Sequence, residues 1–398
     1  MNASTDRSQS LVWHGALAGF CSSLVGIGLA RFAYTPLIPA LISEHWYSHS
    51  EAAYLGAANL AGYLVGALFG RLKARWIHTA WILRLMMLLT AASLLACAFR
   101  DFGFFSAAFW RFISGYTGGA IMVLAAPAVL AATPAARRGF ISGAIFAGVG
   151  LGVVVSGTLM PFLLRAGGAY AAWLGLAALS LLATVIAWSG WPSQASGLAI
   201  NGNGAAQGPR ASHLTVPVLG LFAEYGFNAI GLVPHFIFFV VYISHALGRG
   251  IEFGALCWIG FGVGATVGPI ATGYIADRIG FGKALRLAFL VQAAAVGLPA
   301  IATGTLALMI SGFVVGALTL GVVGLVLGRI HELIEDPAAQ NRAWSFATTA
   351  FAIGQAAAAY GDTYLFDRTG SYTLLFAIGA ASLGLALVTD FAVGVKKR

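Results

Sequence analysis

Residues 253–275 read FGALCWIGFGVGATVGPIATGYI, and the chain continues with ADRIGFGK at residues 276–283. The first stretch is 23 residues long and uncharged, and a membrane-spanning helix needs about 20 mostly apolar residues. The second stretch is short and carries Asp277, Arg278 and Lys283, as a loop outside the membrane would. Together the two stretches predict a membrane span that ends in a polar turn.

Apolar runs of this kind recur along the whole chain of 398 residues. Hydrophobic residues make up 59% of the sequence and charged residues 9%, against roughly a quarter in soluble domains. This composition excludes a soluble enzyme, a nucleic-acid-binding domain and a disordered chain. The three cysteines show no disulfide or metal-ligand spacing. Twelve stretches are long enough to span: 12–42, 50–70, 77–98, 103–132, 140–164, 169–189, 214–243, 253–275, 283–303, 305–330, 343–365 and 371–393.

The lysines and arginines predict the orientation of these spans. With the N-terminus inside, the inner loops and tails hold 15 of the 22 basic residues, the outer loops hold 4 and the spans hold 3. Such a bias places the basic loops in the cytoplasm. We therefore expect both termini to be cytoplasmic, and we interpret the net charge of +9 as a topology signal rather than a sign of nucleic-acid binding.

The chain divides into two similar halves. Residues 191–213 are rich in Gly, Ser, Asn and Pro, which is typical of a flexible linker, here cytoplasmic. Ile-Ser-Gly-Tyr at 113–116 in the fourth span matches Ile-Ser-Gly-Phe at 310–313 in the tenth. The sequence thus predicts an all-α membrane protein with 12 transmembrane helices in two pseudo-symmetric six-helix bundles, residues 1–190 and 214–398. Two such repeats form rocker-switch transporters, which bind solute near the membrane midplane.

The loop after the eighth span carries a family signature. Gly273-Tyr-Ile-Ala-Asp277-Arg278-Ile-Gly280-Phe-Gly282-Lys283 resembles the G-x-x-x-D-R-x-G-x-x-K/R motif of the major facilitator superfamily. In the matching loop after the second span, Gly70-Arg71 has glycine in place of the acid. In the fourth span, Arg111-x-x-x-Gly115 resembles the family's second motif. Residues 28–39 (GLARFAYTPLIP) look like the YbfB/YjiJ-type branch of bacterial transporters, which implies a bacterial cytoplasmic (inner) membrane.

The resemblance suggests a conformational latch. An acid at a span end can accept hydrogen bonds from the N-terminus of a neighbouring helix, and an arginine can pair with a carboxylate. We assign this role to Asp277, Arg278, Arg71 and Arg111, with plain topological anchoring as the alternative. Glycines at every fourth position, 62, 66 and 70 in the second span and 260, 264 and 268 in the eighth, predict close helix packing rather than substrate contact.

Arg31 lies well inside the first span. An arginine at the membrane centre costs about 2.5–3.5 kcal/mol on insertion scales, so it should face a partner or a water-filled cavity. Tyr34 and Thr35 share its helix face. Arg31 and Tyr34 are therefore candidate substrate-binding residues, and a structural ion pair that locks two helices is the alternative for Arg31.

The seventh span carries a polar stripe. Glu224, Asn228, Gly231 and His235 fall on one helix face, and Pro234 should break the backbone near its outer end. The stripe predicts either an aqueous path or a buried interhelical hydrogen-bond network. Glu224 is the best candidate for proton coupling, because low dielectric favours a neutral carboxyl group. We add further candidates on the same span and on the eleventh: Asn228, His235, Tyr225 and Gln355 for substrate binding, and Asp362 for proton coupling.

These features predict a secondary active transporter that works by alternating access, without a cofactor or a metal ion and not as an enzyme. We expect a small organic anion, possibly amphipathic or aromatic, to move with proton coupling. The leading alternative is a multidrug-type exporter in which Glu224 binds lipophilic cations. A second alternative is a non-transporting membrane sensor on the same fold. The expected partners are the solute, protons and the lipid bilayer, with no nucleic acid, and we expect a monomer.

Overall fold

The computed structural model describes residues 2–73, 78–134, 137–192 and 215–395. Over these ranges the chain is helical and contains no β-strand, as predicted. The first half forms α1 (Asn2–Ser23), α2 (Ile38–Ser43), α3 (His49–Lys73), α4 (Thr79–Ala96), α5 (Gly103–Ala131) and α6 (Arg138–Ala187). The second half forms α7 (Val216–Ile237), α8 (Phe239–Val241), α9 (Gly250–Ile279), α10 (Phe281–Ile301), α11 (Thr305–Leu333), α12 (Pro337–Thr369) and α13 (Tyr372–Val395).

Ten helical segments of the described residues are long and apolar enough to cross a membrane. Two differences from the predicted twelve spans have local causes. The spans predicted at 140–164 and 169–189 follow each other within α6, where Gly167 (φ −176°, ψ 31°) and Gly168 (φ 63°, ψ −155°) interrupt the helix. The span predicted at 343–365 lies within α12, which is long enough but too polar to count among the ten.

The chain forms two compact units. Unit 1 comprises Met1–Leu37 and Ala61–Arg210, and unit 2 comprises Ile38–Leu60 and Ala211–Arg398. Unit 2 thus takes in a segment of the first half, the last part of the first span and the start of α3. Residues 193–214 lie outside the described ranges, so the linker at 191–213 and the domain limits drawn from it stay predictions.

Glycines let helices approach closely in both units. A Cβ atom built on Gly62 or Gly66 of α3 would lie 2.0 Å from a carbonyl oxygen of α5. On α9, the corresponding distances to carbonyl oxygens of α11 are 2.1 Å for Gly264 and 2.0 Å for Gly268. The packing prediction is confirmed at these four positions. It is wrong for Gly260, where an added Cβ would meet no heavy atom of the described residues within 4 Å.

The first and seventh spans are both interrupted. In the first, α1 is followed by a π-turn (Leu24–Leu29) and a 3-10 turn (Phe32–Tyr34) before α2 begins. In the seventh, α7 continues through Pro234 and ends at Ile237. The break therefore lies at Phe238 (φ −107°, ψ −17°), four residues later than predicted. A proline disturbs the helix on its N-terminal side without having to end it there. Interrupted backbone at membrane depth is tolerated where it is buried in protein or lines a cavity.

Candidate functional site

Arg111 binds the interrupted part of the first span. It lies on α5, and only 1% of its surface is exposed. Its Nη1 donates a 2.7 Å hydrogen bond to the carbonyl oxygen of Ala30, next to the break. Its guanidinium carbon lies 4.1 Å from the centre of the Tyr34 ring and 6.0 Å from that of Trp173. Arg111 therefore sits in the interior of unit 1 and not at a span end.

Arg31 lies at the same break. It is partly exposed, and its guanidinium carbon is 5.1 Å from the ring centre of Phe32 and 5.2 Å from that of Tyr63 on α3. Contacts of this length are cation–π interactions. Tyr34 is buried and stacks on Trp173 with ring centres 6.0 Å apart. The structure thus brings the two predicted residues Arg31 and Tyr34 together with Arg111 among aromatic rings.

The charge of this region is positive. The sequence of unit 1 contains only two acids, Asp6 and Asp101, and Asp101 is exposed in a short turn before α5. Arg31 and Arg111 therefore belong to a unit whose sequence is poor in acids. A guanidinium group in an apolar bundle attracts an anion, because charge interactions are strong where the dielectric constant is low.

The polar stripe of α7 forms hydrogen bonds to neighbouring helices. Asn228 Nδ2 donates to Gln292 Oε1 of α10 at 2.6 Å. His235 Nε2 lies 2.8 Å from Ser311 Oγ of α11, whose proton is donated to the carbonyl oxygen of Ala295. His235 is therefore the donor in its contact with Ser311. This geometry is the interhelical network that the sequence left open as the alternative to an aqueous path.

Several buried polar atoms around this network have no hydrogen-bond partner among the described residues. They belong to α7, α10 and α12: Asn228 Oδ1, His235 Nδ1, Gln292 Nε2, both amide atoms of Gln355, and Asp362 Oδ2. An unpaired buried polar group costs about 1–3 kcal/mol. The free energy of such a group falls when water or a polar solute forms a hydrogen bond with it. Gln355 and Asp362 share one face of α12 and are 1% and 5% exposed.

Tyr225 belongs to an aromatic cluster between α7 and α12. Its ring centre lies 6.3 Å from that of Trp344, with the rings stacked, and 4.6 Å from that of Phe351. Tyr225 is buried, so it is placed within unit 2 beside the stripe. The cluster offers an apolar, aromatic wall on the side of α7 that the polar stripe does not occupy.

Glu224 lies nine residues into α7 and is buried. It lines a small cleft with two arginines, Arg286 of α10 and Arg329 of α11, and with Asp390 of α13. Arg286 forms a salt bridge with Asp390, and Arg329 forms one with Glu332 at 2.6 Å. Glu224 therefore lies beside two ion-paired arginines, which its sequence position does not reveal.

Two of the residues assigned to the latch, Asp277 and Arg278, are exposed. Asp277 and Arg278 lie in the last turn of α9, and Arg278 contacts the ring and hydroxyl group of Tyr274 on its own helix. Asp277 forms no ion pair within the described part of the chain. The side chain of Arg71 lies outside the described residues. A latch role for these residues stays a prediction.

Sequence reasoning missed several residues that complete these clusters. On α3, Tyr63 follows Asn59 by one helical turn, and this spacing was a usable signal for a polar face. Gln292 is the one amide side chain of α10 and also carried a signal. Trp173 and Ser311 carried no sequence signal, because aromatic and hydroxyl residues are common in spans.

Two helical units with interrupted first and seventh spans, a buried arginine and buried amides define a multi-pass membrane transporter of the major facilitator fold. The chain belongs to the family described as the uncharacterised major-facilitator-type transporter YbfB, whose model matches residues 23–391. A search of curated protein sequences found no match.

Solved transporters share the fold. The xylose transporter XylE from E. coli, in a partially occluded inward-open conformation, is 14% identical with a TM-score of 0.74, covering 96% of this chain and 98% of that one. The nucleoside transporter NupG is 12% identical with a TM-score of 0.76, covering 96% and 99%. A D-xylose–proton symporter is 16% identical with a TM-score of 0.76, covering 96% and 97%. At these identities the likeness shows the fold alone.

Proposed function

We propose that this secondary transporter moves a small organic anion by alternating access, with protons as the coupling ion. The observation that carries the proposal is the presence of two guanidinium groups, those of Arg31 and Arg111, at the interrupted first span. Aromatic rings surround both groups, which favours an anion with an aromatic or amphipathic body.

Unit 2 supplies polar groups of a different kind. The unpaired amide atoms of Gln355 and Asn228 and the free Nδ1 of His235 offer hydrogen bonds to a polar solute or to water. Tyr225 adds an aromatic surface beside them. We assign substrate recognition to Arg31, Tyr34, Tyr225, Asn228, His235 and Gln355, and proton coupling to Glu224 or Asp362.

The cation-exporter alternative requires Glu224 to attract a lipophilic cation. The cleft that contains Glu224 also contains Arg286 and Arg329. Asp390 and Glu332 offset these arginines through salt bridges. The charges of this cleft therefore leave the exporter as the alternative that the transport assay has to test.

The test uses purified protein and its arginine variants. Benzoate and phenylacetate serve as anionic probes and tetraphenylphosphonium as a lipophilic cation in thermal-shift and proteoliposome assays under an imposed pH gradient. We expect saturable, gradient-driven uptake of an anion, weaker binding in Arg31→Lys and no binding in Arg31→Ala, because lysine keeps the charge but loses the planar fork.

Arg84→Ala is the matched control. Arg84 lies on α4, donates to the carbonyl oxygen of Trp188 and packs between Trp81 and Trp188, so it is an arginine in an aromatic setting away from the break. It should bind anions like the wild type. Normal transport of a cation by Arg31→Ala would refute the anion proposal and favour the exporter. Absence of any uptake with intact binding would favour the sensor.

We propose in addition that the protein is a monomer in a bacterial cytoplasmic membrane with both termini inside. The placement of the termini is supported by the distribution of lysines and arginines between predicted inner and outer loops, 15 against 4.

A further inference from the structure

Two histidines that have no assigned role in transport meet within unit 2. His49 is the first residue of α3, and His245 lies in the π-turn Tyr242–Ala246 that follows α8. Their ring centres are 5.7 Å apart and their planes form an angle of 81°. His49 is exposed and His245 is partly exposed, so solvent reaches both rings.

We propose that His49 and His245 form a binding site for a divalent transition-metal ion such as Zn²⁺ or Ni²⁺. Imidazole nitrogen is a preferred ligand of these ions. Zn–N bonds of about 2.0–2.1 Å place the centres of two ligating imidazole rings roughly 5–6 Å apart, depending on the angle at the metal. The observed 5.7 Å falls within this interval.

The hydrogen bonds around His245 leave the required lone pair in place. Ser43 Oγ donates its only proton to the carbonyl oxygen of Pro39 at 2.7 Å. The contact of 3.3 Å between Ser43 Oγ and His245 Nε2 therefore has the histidine as donor. The proton is then on Nε2, and Nδ1 keeps its lone pair. Metal-ligating histidines are held in this way by a hydrogen bond from the second ring nitrogen.

Other side chains fix the remaining geometry. The ring of His49 packs against Phe366 of α12, with ring centres 6.5 Å apart. In the described part of the chain no third His, Cys, Asp or Glu joins the pair, so water molecules would fill the other coordination positions. A bound ion would connect the start of α3 with the end of the seventh span, two segments 196 residues apart in sequence.

Isothermal titration of purified, full-length protein carrying no histidine tag tests the proposal. We expect one Ni²⁺ or Zn²⁺ per chain and an upward shift of the thermal midpoint, because binding to the folded state alone stabilises it. Mg²⁺ and Ca²⁺, which prefer oxygen ligands, should give neither effect. His49→Ala and His245→Gln should each lose the shift. Ser43→Ala should weaken binding by about tenfold or more, because the tautomer is no longer held.

His331→Ala is the control, since His331 is an exposed histidine at the end of α11. It should bind like the wild type. Undiminished binding in either His49→Ala or His245→Gln would overturn the proposal, and so would an equal loss in His331→Ala or an equal response to Mg²⁺. All of these outcomes are independent of the transported solute, so failure of this site would leave the proposed transport function untouched.

Discussion

Replacing Gly264 with alanine should destabilise the protein, and replacing Gly260 should not. The two positions are one helical turn apart on α9. A Cβ on Gly264 would lie 2.1 Å from the carbonyl oxygen of Phe313 and 2.9 Å from the amide nitrogen of Ala317, both backbone atoms of α11. A Cβ on Gly260 would meet no heavy atom of the described residues within 4 Å.

The size of the effect follows from these distances. Real Cβ atoms essentially never lie closer than 3.0 Å to another heavy atom, so the two helices would have to separate locally by about 0.9 Å. A gap of 0.5–1 Å removes about a quarter to a half of each dispersion contact it affects. Overpacking of this kind costs about 1–3 kcal/mol. Gly260→Ala should be neutral or stabilising by up to about 1 kcal/mol, because alanine loses less backbone entropy in a helix.

Thermal unfolding in detergent measures the difference. A thiol-reactive dye can report it, since Cys21, Cys97 and Cys257 are all buried in the folded protein. We expect the midpoint of Gly264→Ala to fall at least about 2 °C below that of Gly260→Ala. Equal midpoints, or a Gly264→Ala protein as stable as the wild type, would refute the argument that this glycine is required for helix contact.

Three further predictions concern function and topology. Glu224→Gln should abolish pH-driven accumulation of solute while exchange between equal pools persists, because glutamine imitates a permanently protonated carboxyl group; normal accumulation would remove Glu224 from the coupling mechanism. Asp277→Asn should slow transport without lowering the thermal midpoint, because an exposed charge at the end of α9 is lost without any loss of packing; unchanged transport rates would leave Asp277 as a topological anchor. Reporter proteins fused after Thr133 and after Ser196 should both score as cytoplasmic, and an external signal from either would overturn the predicted topology.

The fold could be predicted from the sequence because span length, loop charge and glycine spacing are local properties. Residues 253–275 needed no partner to be recognised as a span. The interruption of the first span was not predicted, since no proline lies within the turns Leu24–Leu29 and Phe32–Tyr34. In the seventh span, Pro234 marked the correct region, but the helix ends four residues later.

The candidate site could be predicted only in part, because a helix pattern shows which residues share a face and not which residues of other helices they contact. The stripe of α7 was visible as spacing, whereas the contact of Asn228 with Gln292 joins residues 64 positions apart. Arg111 was known as a motif residue, but its hydrogen bond to Ala30 depends on how α5 packs against the interrupted first span. Long-range pairings of this kind are set by tertiary packing, which a single sequence does not encode in any local window.

The interruption of α6 has an evolutionary consequence. Gly167 and Gly168 join two spans with almost no connecting loop, and Gly168 adopts a conformation that is essentially restricted to glycine. An inserted residue ahead of this turn would rotate one helix by about 100° relative to its neighbours. Mutations that add or delete codons here, or that replace the Gly168 codon, should therefore be removed by selection. Length variation among descendants of this gene is expected to accumulate at other connections.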